Sequence, residues 1–238
     1  GAGEIRMSNA YAVILAGGRG ERMRGELPKQ LLPLGGKSII AWSIDAFARI
    51  DEVRGILIVS HPDCAAEIAS IAPHHASGKL IGIVAGGETR QGSSYNALCA
   101  LDCHDGDIVA IHDAARPFVS GGVIRTVISA AREHGAAGAY VRATDTISEG
   151  KDGFVTAIPE RSGLYYTQTP QAFRFEVIMD AHRSARERNR ASSTDDAGMV
   201  LDAGGRVRIV DGDYRNIKIT SPADYEAAKA LASRGLEA

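Results

Sequence analysis

The sequence predicts an α/β fold: one mostly parallel sheet with helices on both faces, and a protruding β-hairpin arm. Two patterns carry that prediction. Short apolar runs alternate with segments of helical spacing as far as residue 135, with no Pro/Ser-rich linker between them. Beyond Val141 the alternation stops. Residues 144–159 (TDTISEGKDGFVTAIP) then read as two short polar strands around Asp152-Gly153, a strong hairpin-turn pair.

Residues 11–15 (YAVIL) are a short apolar run, suited to a strand buried on both faces. From 38 to 50 the spacing is helical, with Ile40, Ile44, Phe47 and Ala48 on one side. Residues 53–59 (VRGILIV) are a second buried strand, 64–71 a helix, 80–84 (LIGIV) a third strand and 93–101 a further helix. Residues 108–111 follow as a strand and 123–134 as an amphipathic helix. After the arm, 175–188 and 195–203 are expected as helices, and 207–210 and 217–219 as extended chain. Ser221-Pro222 followed by Asp224 is a helix start: an N-cap serine, proline at the first position and an acid in the first turn. Together these form a single Rossmann-like domain over residues 10–234. Residues 144–159 are an arm inserted within it, and 1–9 a disordered start or cloning remnant. The arm has few large apolar side chains and cannot bury itself well, so it is expected to pack on a second subunit.

At 238 residues the chain can bury a substantial core, and its 45% hydrophobic content is ordinary for a globular protein. A net charge of −2 gives no general basic field, so nucleic acid is not expected as a partner and any polyanion site must be built locally. No apolar run approaches a membrane span and the start does not read as a signal peptide. A cytoplasmic location away from membranes is therefore expected. Cys64, Cys99 and Cys103 are an odd set without a CxxC pair or nearby histidines, which predicts buried, reduced thiols and no zinc.

The first strand runs into residues 15–30, LAGGRGERMRGELPKQ, a glycine-rich and cationic stretch. A dinucleotide fingerprint fails here, because Met23 stands where its third glycine belongs and Pro28 cuts any helix short. Gly36-Lys37-Ser38 resembles the end of a P-loop, but Leu31 occupies the first glycine's place, and Lys37 is expected on the surface. What survives is a loop that holds a triphosphate without a helix dipole. Backbone N–H groups of Gly17, Gly18 and Gly20 can approach closely, and Arg22 and Lys29 supply the charge. Such groups act when negative charge builds on an α-phosphate and a leaving pyrophosphate.

Residues 109–117 read VAIHDAARP, a strand ending in an aspartate at the sheet edge where open α/β folds bind ligands. Asp113 there can hold Mg²⁺ directly, hold it through water, or meet the acceptor. Arg116 can touch phosphate or lock Asp113 in place. His112 is expected to be structural, since an already ionised phosphate nucleophile needs no general base.

IHDAARPF together with LAGG-RGERM-PKQ, GGETRQGSS, QTPQAF and RNIKIT, in that order from about Tyr11 to Ala232, resembles the 2-C-methyl-D-erythritol 4-phosphate cytidylyltransferases. These are the CTP-dependent enzymes of the non-mevalonate isoprenoid pathway. The resemblance implies that Ala16, Gly17, Gly18 and Gly20 line a CTP site and that Gly87, Glu88 and Ser93 contact cytosine and ribose. Arg22 and Lys29 would stabilise the transition state. Asp113 and Arg116 would lie between nucleotide and acceptor, with Asp113 near a divalent cation. Thr146, Arg161 and Thr169 would bind the acceptor phosphate, a small alditol phosphate, and Lys218 would bridge it to the nucleotide. Mg²⁺ or another divalent cation with CTP is implied, as is a homodimer whose arm completes the neighbour's acceptor site. Two departures stand out: Ala16-Gly17-Gly18 where the family often has AAG, and Arg215 where some members carry an acid. The AGG form is also common in enzymes making CDP-ribitol from D-ribitol 5-phosphate. That reaction is the nearest alternative, and a nucleotide-binding regulator without turnover is a more distant one.

Overall fold

A computed structural model describes residues 8–18, 28–188 and 195–235. The chain enters as strand β1 (Ala10–Ala16) and passes through a two-strand ribbon, β2 (Pro33–Leu34) and β3 (Lys37–Ser38), into helix α1 (Ile39–Ala48). Next come β4 (Val53–Ser60), α2 (Ala65–His75), β5 (Leu80–Ala85), α3 (Arg90–Ala100), β6 (Ile108–Asp113), α4 (Gly121–His134) and β7 (Ala136–Arg142). The arm is β8 (Glu149–Lys151) and β9 (Phe154–Ala157). The chain then closes with β10 (Tyr165–Arg174), α5 (Phe175–Glu187), α6 (Asp196–Asp202), β11 (Arg208–Asp211) and α7 (Pro222–Ser233).

Successive strand side chains point to opposite faces, and the central strands are apolar on both. Ala12 and Ile14 of β1, Ile56 and Ile58 of β4, and Ile108 and Ala110 of β6 pack with Ile40, Ile44 and Phe47 of α1, Ile68 of α2 and Val127 of α4. Val13, Leu57, Val59, Val109 and Ile111, one residue out of phase, pack with Leu98 of α3, Ile178 of α5 and Val200 of α6. This two-sided burial is why the strands read as continuous apolar runs. A third cluster seats α7 against Leu34, Ile39, Trp42 and Phe118.

The main sheet has the order β11-β7-β10-β6-β1-β4-β5. All neighbours are parallel except β10, which runs antiparallel between β6 and β7. From β1 the chain builds outward through β4 and β5, then crosses back to lay β6 on the other side of β1. The carboxyl ends of β1 and β6, where Leu15 pairs with Asp113, therefore flank the switch in strand order at which open α/β sheets bind ligands.

Several expectations need adjustment. β7 and β10 are sheet strands that the apolar pattern does not reveal. β10 (YYTQTPQAFR) is polar through its middle and contains Pro170, a poor fit to a regular central ladder, and its pairing with β7 shifts register between Thr167 and Gln171. Residues 217–219 join no strand, though Ile219 N–H donates to Ala115 O at 2.9 Å. Of the cysteines only Cys64 is buried; Cys103 is half-buried and Cys99 exposed, so burial does not explain that pair. Lys37 is ion-paired with Asp45 and lies 4.0 Å over the Trp42 ring, which pins it to α1. Asn9 N–H donates to Asp107 Oδ1 at 2.9 Å, so the bonded chain starts ahead of β1. Residues 1–7 lie outside the described residues.

The arm is a separate two-strand sheet with its turn at Asp152 (φ 53°) and Gly153 (φ 85°), the left-handed conformations a tight hairpin requires. Phe154, Val155 and Ile158 are 77%, 65% and 64% exposed, large apolar side chains that the other described residues leave uncovered. Among the described residues no helix is long and apolar enough to cross a membrane.

The segment carrying Lys218 is fixed from its far side. Ser221 Oγ accepts from Asp224 N–H, while Asp224 Oδ2 accepts from Thr220 N, Thr220 Oγ1 and Ser221 N. Ser221→Ala removes half of this capping box and is expected to lower unfolding free energy by about 1 kcal/mol in urea titrations.

Candidate active site

Strand β1 ends at Ala16, and Gly17 follows in close contact with the loop before α3. A Cβ on Gly17 would stand 3.3 Å from Ser93 Oγ, and one on Gly86 would stand 3.4 Å from the Gly17 Cα. Gly87 is tighter still, because its Cβ would sit 2.7 Å from the Gly92 carbonyl carbon. Among the described residues nothing lies within 4 Å of a Cβ built on Gly18. Ser93 Oγ accepts from Gly87 N–H at 3.1 Å and donates to Thr89 O at 3.0 Å, so its hydroxyl shapes this loop. Thr89 caps α3 by accepting from Gly92 N–H.

Lys29 returns to the same place by a different route. Gln30, buried beside it, donates to Ala16 O at 3.1 Å and to Cys64 Sγ at 3.4 Å, tying the end of the cationic stretch to the end of β1. Lys29 Nζ donates to Ile219 O at 3.2 Å. Gly20 and Arg22 lie outside the described residues.

These pieces enclose a cleft of about 340 Å³ whose lining includes Ala16, Gly17, Gly18, Lys29, Gly87 and Glu88. Ser93, Asp113 and Lys218 line it as well, and Arg90 joins them. A smaller depression of about 180 Å³ adjoins it, lined by Arg116, Thr167, Gln168, Thr169, Gln171 and Asp195 and sharing Arg90, Asp113 and Lys218 with the cleft.

Asp113 is the hinge between the two spaces. Its Oδ2 lies 2.7 Å from Lys218 Nζ, and its Oδ1 accepts from Arg90 Nε and Nη2, each at 3.3 Å. Burial alone would raise its carboxyl, but Arg90, Lys218 and Arg116 outweigh that and hold it well below the usual carboxylate range. It is an anion at any physiological pH. Arg116 is oriented by the backbone, donating to Asn216 O at 2.8 Å and Thr167 O at 3.2 Å.

His112 is fully buried, and its hydrogen bonds define its tautomer. Thr169 Oγ1 accepts from Asp113 N–H at 3.0 Å and lies 3.0 Å from His112 Nδ1, so its own hydrogen is directed to that nitrogen. Nε2 then carries the ring proton and donates to Arg116 O at 3.1 Å. Burial pushes the imidazole down to about 4, which keeps it neutral. Thr169 is thereby engaged in holding Asp113, although it also lines the smaller depression.

Thr146 and Arg161 line neither space. Both are exposed at the base of the arm, where Arg161 Nη1 donates to Thr144 O at 2.8 Å. Arg215 is not directed at the cleft either. It folds onto Asp213, with Nη2 2.6 Å from Oδ2.

The model of the 2-C-methyl-D-erythritol 4-phosphate cytidylyltransferases matches residues 10–234, nearly the whole chain. The chain belongs to that family. A cytidylyltransferase of this name from Geobacillus kaustophilus is 41% identical over 230 residues, 96% of this chain and 100% of the relative. The bifunctional IspD/IspF enzyme of Bradyrhizobium diazoefficiens is 43% identical over 94% of this chain and 56% of its own length. Among solved structures, the 4-diphosphocytidyl-2C-methyl-D-erythritol synthase of Anaerococcus prevotii superposes with a TM-score of 0.83 at 29% identity, covering 95% of this chain and 97% of that one. The cytidylyltransferase of Thermus thermophilus gives 0.75 at 29% identity, covering 95% and 100%.

Sequence reasoning passed over Arg90, Gln30 and Asp196. Arg90 and Gln30 stand inside the family motifs GGETRQGSS and PKQ, but neither motif shows which partner the side chain meets. Gly87→Ala would force the loop before α3 away from Gly92. If the loop borders the nucleotide, as the resemblance implies for Gly87, CTP binding by calorimetric titration should weaken about tenfold or more while the protein remains folded.

Proposed function

We propose that this protein is a cytidylyltransferase joining CTP and 2-C-methyl-D-erythritol 4-phosphate to give 4-diphosphocytidyl-2-C-methyl-D-erythritol and pyrophosphate. The observation that carries this reading is the family match over residues 10–234, whose glycine, lysine and aspartate motifs converge on one cleft. An oxygen of the acceptor's phosphate attacks the α-phosphorus of CTP in line. The new P–O bond forms as the bond to the bridging oxygen breaks, and pyrophosphate leaves with that electron pair.

In this reading Gly17, Gly18 and Gly20 receive the triphosphate on backbone N–H groups, and Gly87, Glu88 and Ser93 border the base and ribose. Arg22 and Lys29 stabilise charge on the α-phosphate and the leaving group. Lys218 meets the acceptor phosphate from the other side, paired with Asp113 until the substrate enters. Arg116 and Thr169 border the acceptor. A phosphate nucleophile is already ionised, which agrees with a neutral His112 whose two nitrogens are both engaged.

The donor set suits magnesium brought in with the nucleotide. Among the described residues no three His, Cys, Asp or Glu side chains gather as a metal cage. Asp113 nevertheless offers one hard carboxylate beside the triphosphate space, and Mg²⁺ commonly takes a carboxylate or two with substrate phosphates. Bound there, it would neutralise and orient the triphosphate.

The exposed apolar side chains Phe154, Val155 and Ile158 support a homodimer in which the arm lies over the neighbour, bringing Thr146 and Arg161 to the partner's acceptor space.

A pyrophosphate-release assay with CTP and Mg²⁺ tests the reaction. Turnover is expected with 2-C-methyl-D-erythritol 4-phosphate. Preference for D-ribitol 5-phosphate would transfer the assignment to that acceptor, and no release with either would exclude a transferase. Lys29→Ala and Arg22→Ala should each reduce kcat by roughly 10² or more, and near-normal turnover in both would refute their roles. Replacing Phe154 and Val155 by serine should convert a dimer to monomer in sedimentation and raise the acceptor KM. Arg161→Ala should raise the same KM with the dimer intact, and an unchanged KM at saturating CTP would remove it from the acceptor site.

A further inference from the structure

Lys218 occupies one oxygen of the central carboxylate, and Arg90 occupies the other. The guanidinium at the start of α3 is stretched between two acids: Nη1 donates to Asp196 Oδ2 at 2.6 Å, whereas its contacts to Asp113 are 3.3 Å. Asp196, in the first turn of α6, is completely buried. Its Oδ1 has no hydrogen-bond partner among the described residues, and the buried His182 ring stands 3.8 Å away. A carboxylate removed from water costs several kcal/mol before its partner compensates, and an apolar side chain of similar volume often stabilises as well or better. Fold stability is therefore a weak reason for Asp196.

We propose that Arg90 and Asp196 are positioning residues for the transfer reaction, with Asp196 anchoring Arg90 so that the guanidinium braces Asp113 without capturing it. The inference rests on the cytidylyltransferase reading for the place of Asp113 at the reacting centre. Arg90 borders both the nucleotide cleft and the adjoining depression, and its backbone directly follows Thr89, the residue that ends the base-side loop. One side chain thus ties the nucleotide loop, the β6 carboxylate and α6 together. With Asp196 neutral, Arg90 has a single carboxylate left and is free to close into a short, two-pronged pair with Asp113. That would draw Asp113 from Lys218 and take a cation out of the acceptor's reach.

The informative change is the near-isosteric Asp196→Asn, made in the parent and in an Arg90→Gln background where Asp196 has nothing to anchor. Kinetics are expressed per CTP-binding site counted by calorimetry, so misfolded protein does not register. In the parent, Asp196→Asn is expected to lower kcat roughly tenfold or more while the CTP KM stays within about threefold, as a displaced reacting group does. In the Arg90→Gln background the same change should cost nothing further, and it removes a buried unpaired charge. A crystal structure of Asp196→Asn should show the Asp113 carboxylate turned away from Lys218. That readout needs no acceptor, so it separates failure of the brace from failure of the assigned reaction, which the parent's pyrophosphate assay decides. A kcat within about twofold of the parent, equal losses in both backgrounds, or an unmoved Asp113 overturns the proposal.

Discussion

One buried carboxylate organises this molecule. Asp113 ends the strand beside β1 and is removed from water, a position unfavourable to an anion unless cations meet it. Arg90 comes from α3, Lys218 from the segment before α7 and Arg116 from the turn just beyond, so elements distant in sequence are drawn to one point. Thr169 of β10 holds its backbone, and His112 and Arg116 extend the same chain of hydrogen bonds. The balance of charge matters as much as its amount. Asp113 stays ionised because of the cations, and Asp113 in turn holds Lys218.

The two halves of the cleft are made by different means. The glycine-lined half depends on what is missing: a side chain at 17 or 86 would crowd Ser93, and one at 87 would collide with the Gly92 backbone. The smaller depression depends on side chains held by backbone carbonyls. Arg116 is gripped by Asn216 and Thr167, while Gln168 Nε2 donates to Asp213 O at 2.8 Å and Asn216 Nδ2 to Thr169 O at 2.9 Å. A rigid polar frame of this kind keeps several cations close together before any phosphate arrives.

How much of this could be read from the chain follows from the range of each interaction. Strands β1, β4 and β6 are legible because burial on both faces leaves uninterrupted apolar runs, and the arm is legible because Asp152-Gly153 carries its own turn preference. The glycine loop, Lys29, Asp113 and Lys218 are legible as motifs. β10 is not, because its hydrogen bonds are supplied by two neighbouring strands and its middle is spent on the site. Asp196 is hidden for a related reason. Its partner lies 106 positions away, and an acid near a helix start reads as ordinary capping until that partner is seen. Arg215 is the opposite case: it stands beside a motif, yet its own neighbour Asp213 takes its charge.

The placement of β10 has a further consequence. Because β7 and β10 are adjacent antiparallel strands, with Arg142 opposite Tyr165, everything between them is topologically the loop of one long hairpin. Its length and composition are decoupled from the seven-stranded scaffold, since shortening it breaks no rung between the strands that frame the catalytic edge. The tip of that loop can therefore vary without disturbing the seven-stranded scaffold, and a tether or reporter grafted there would leave the cleft beside Asp113 undisturbed.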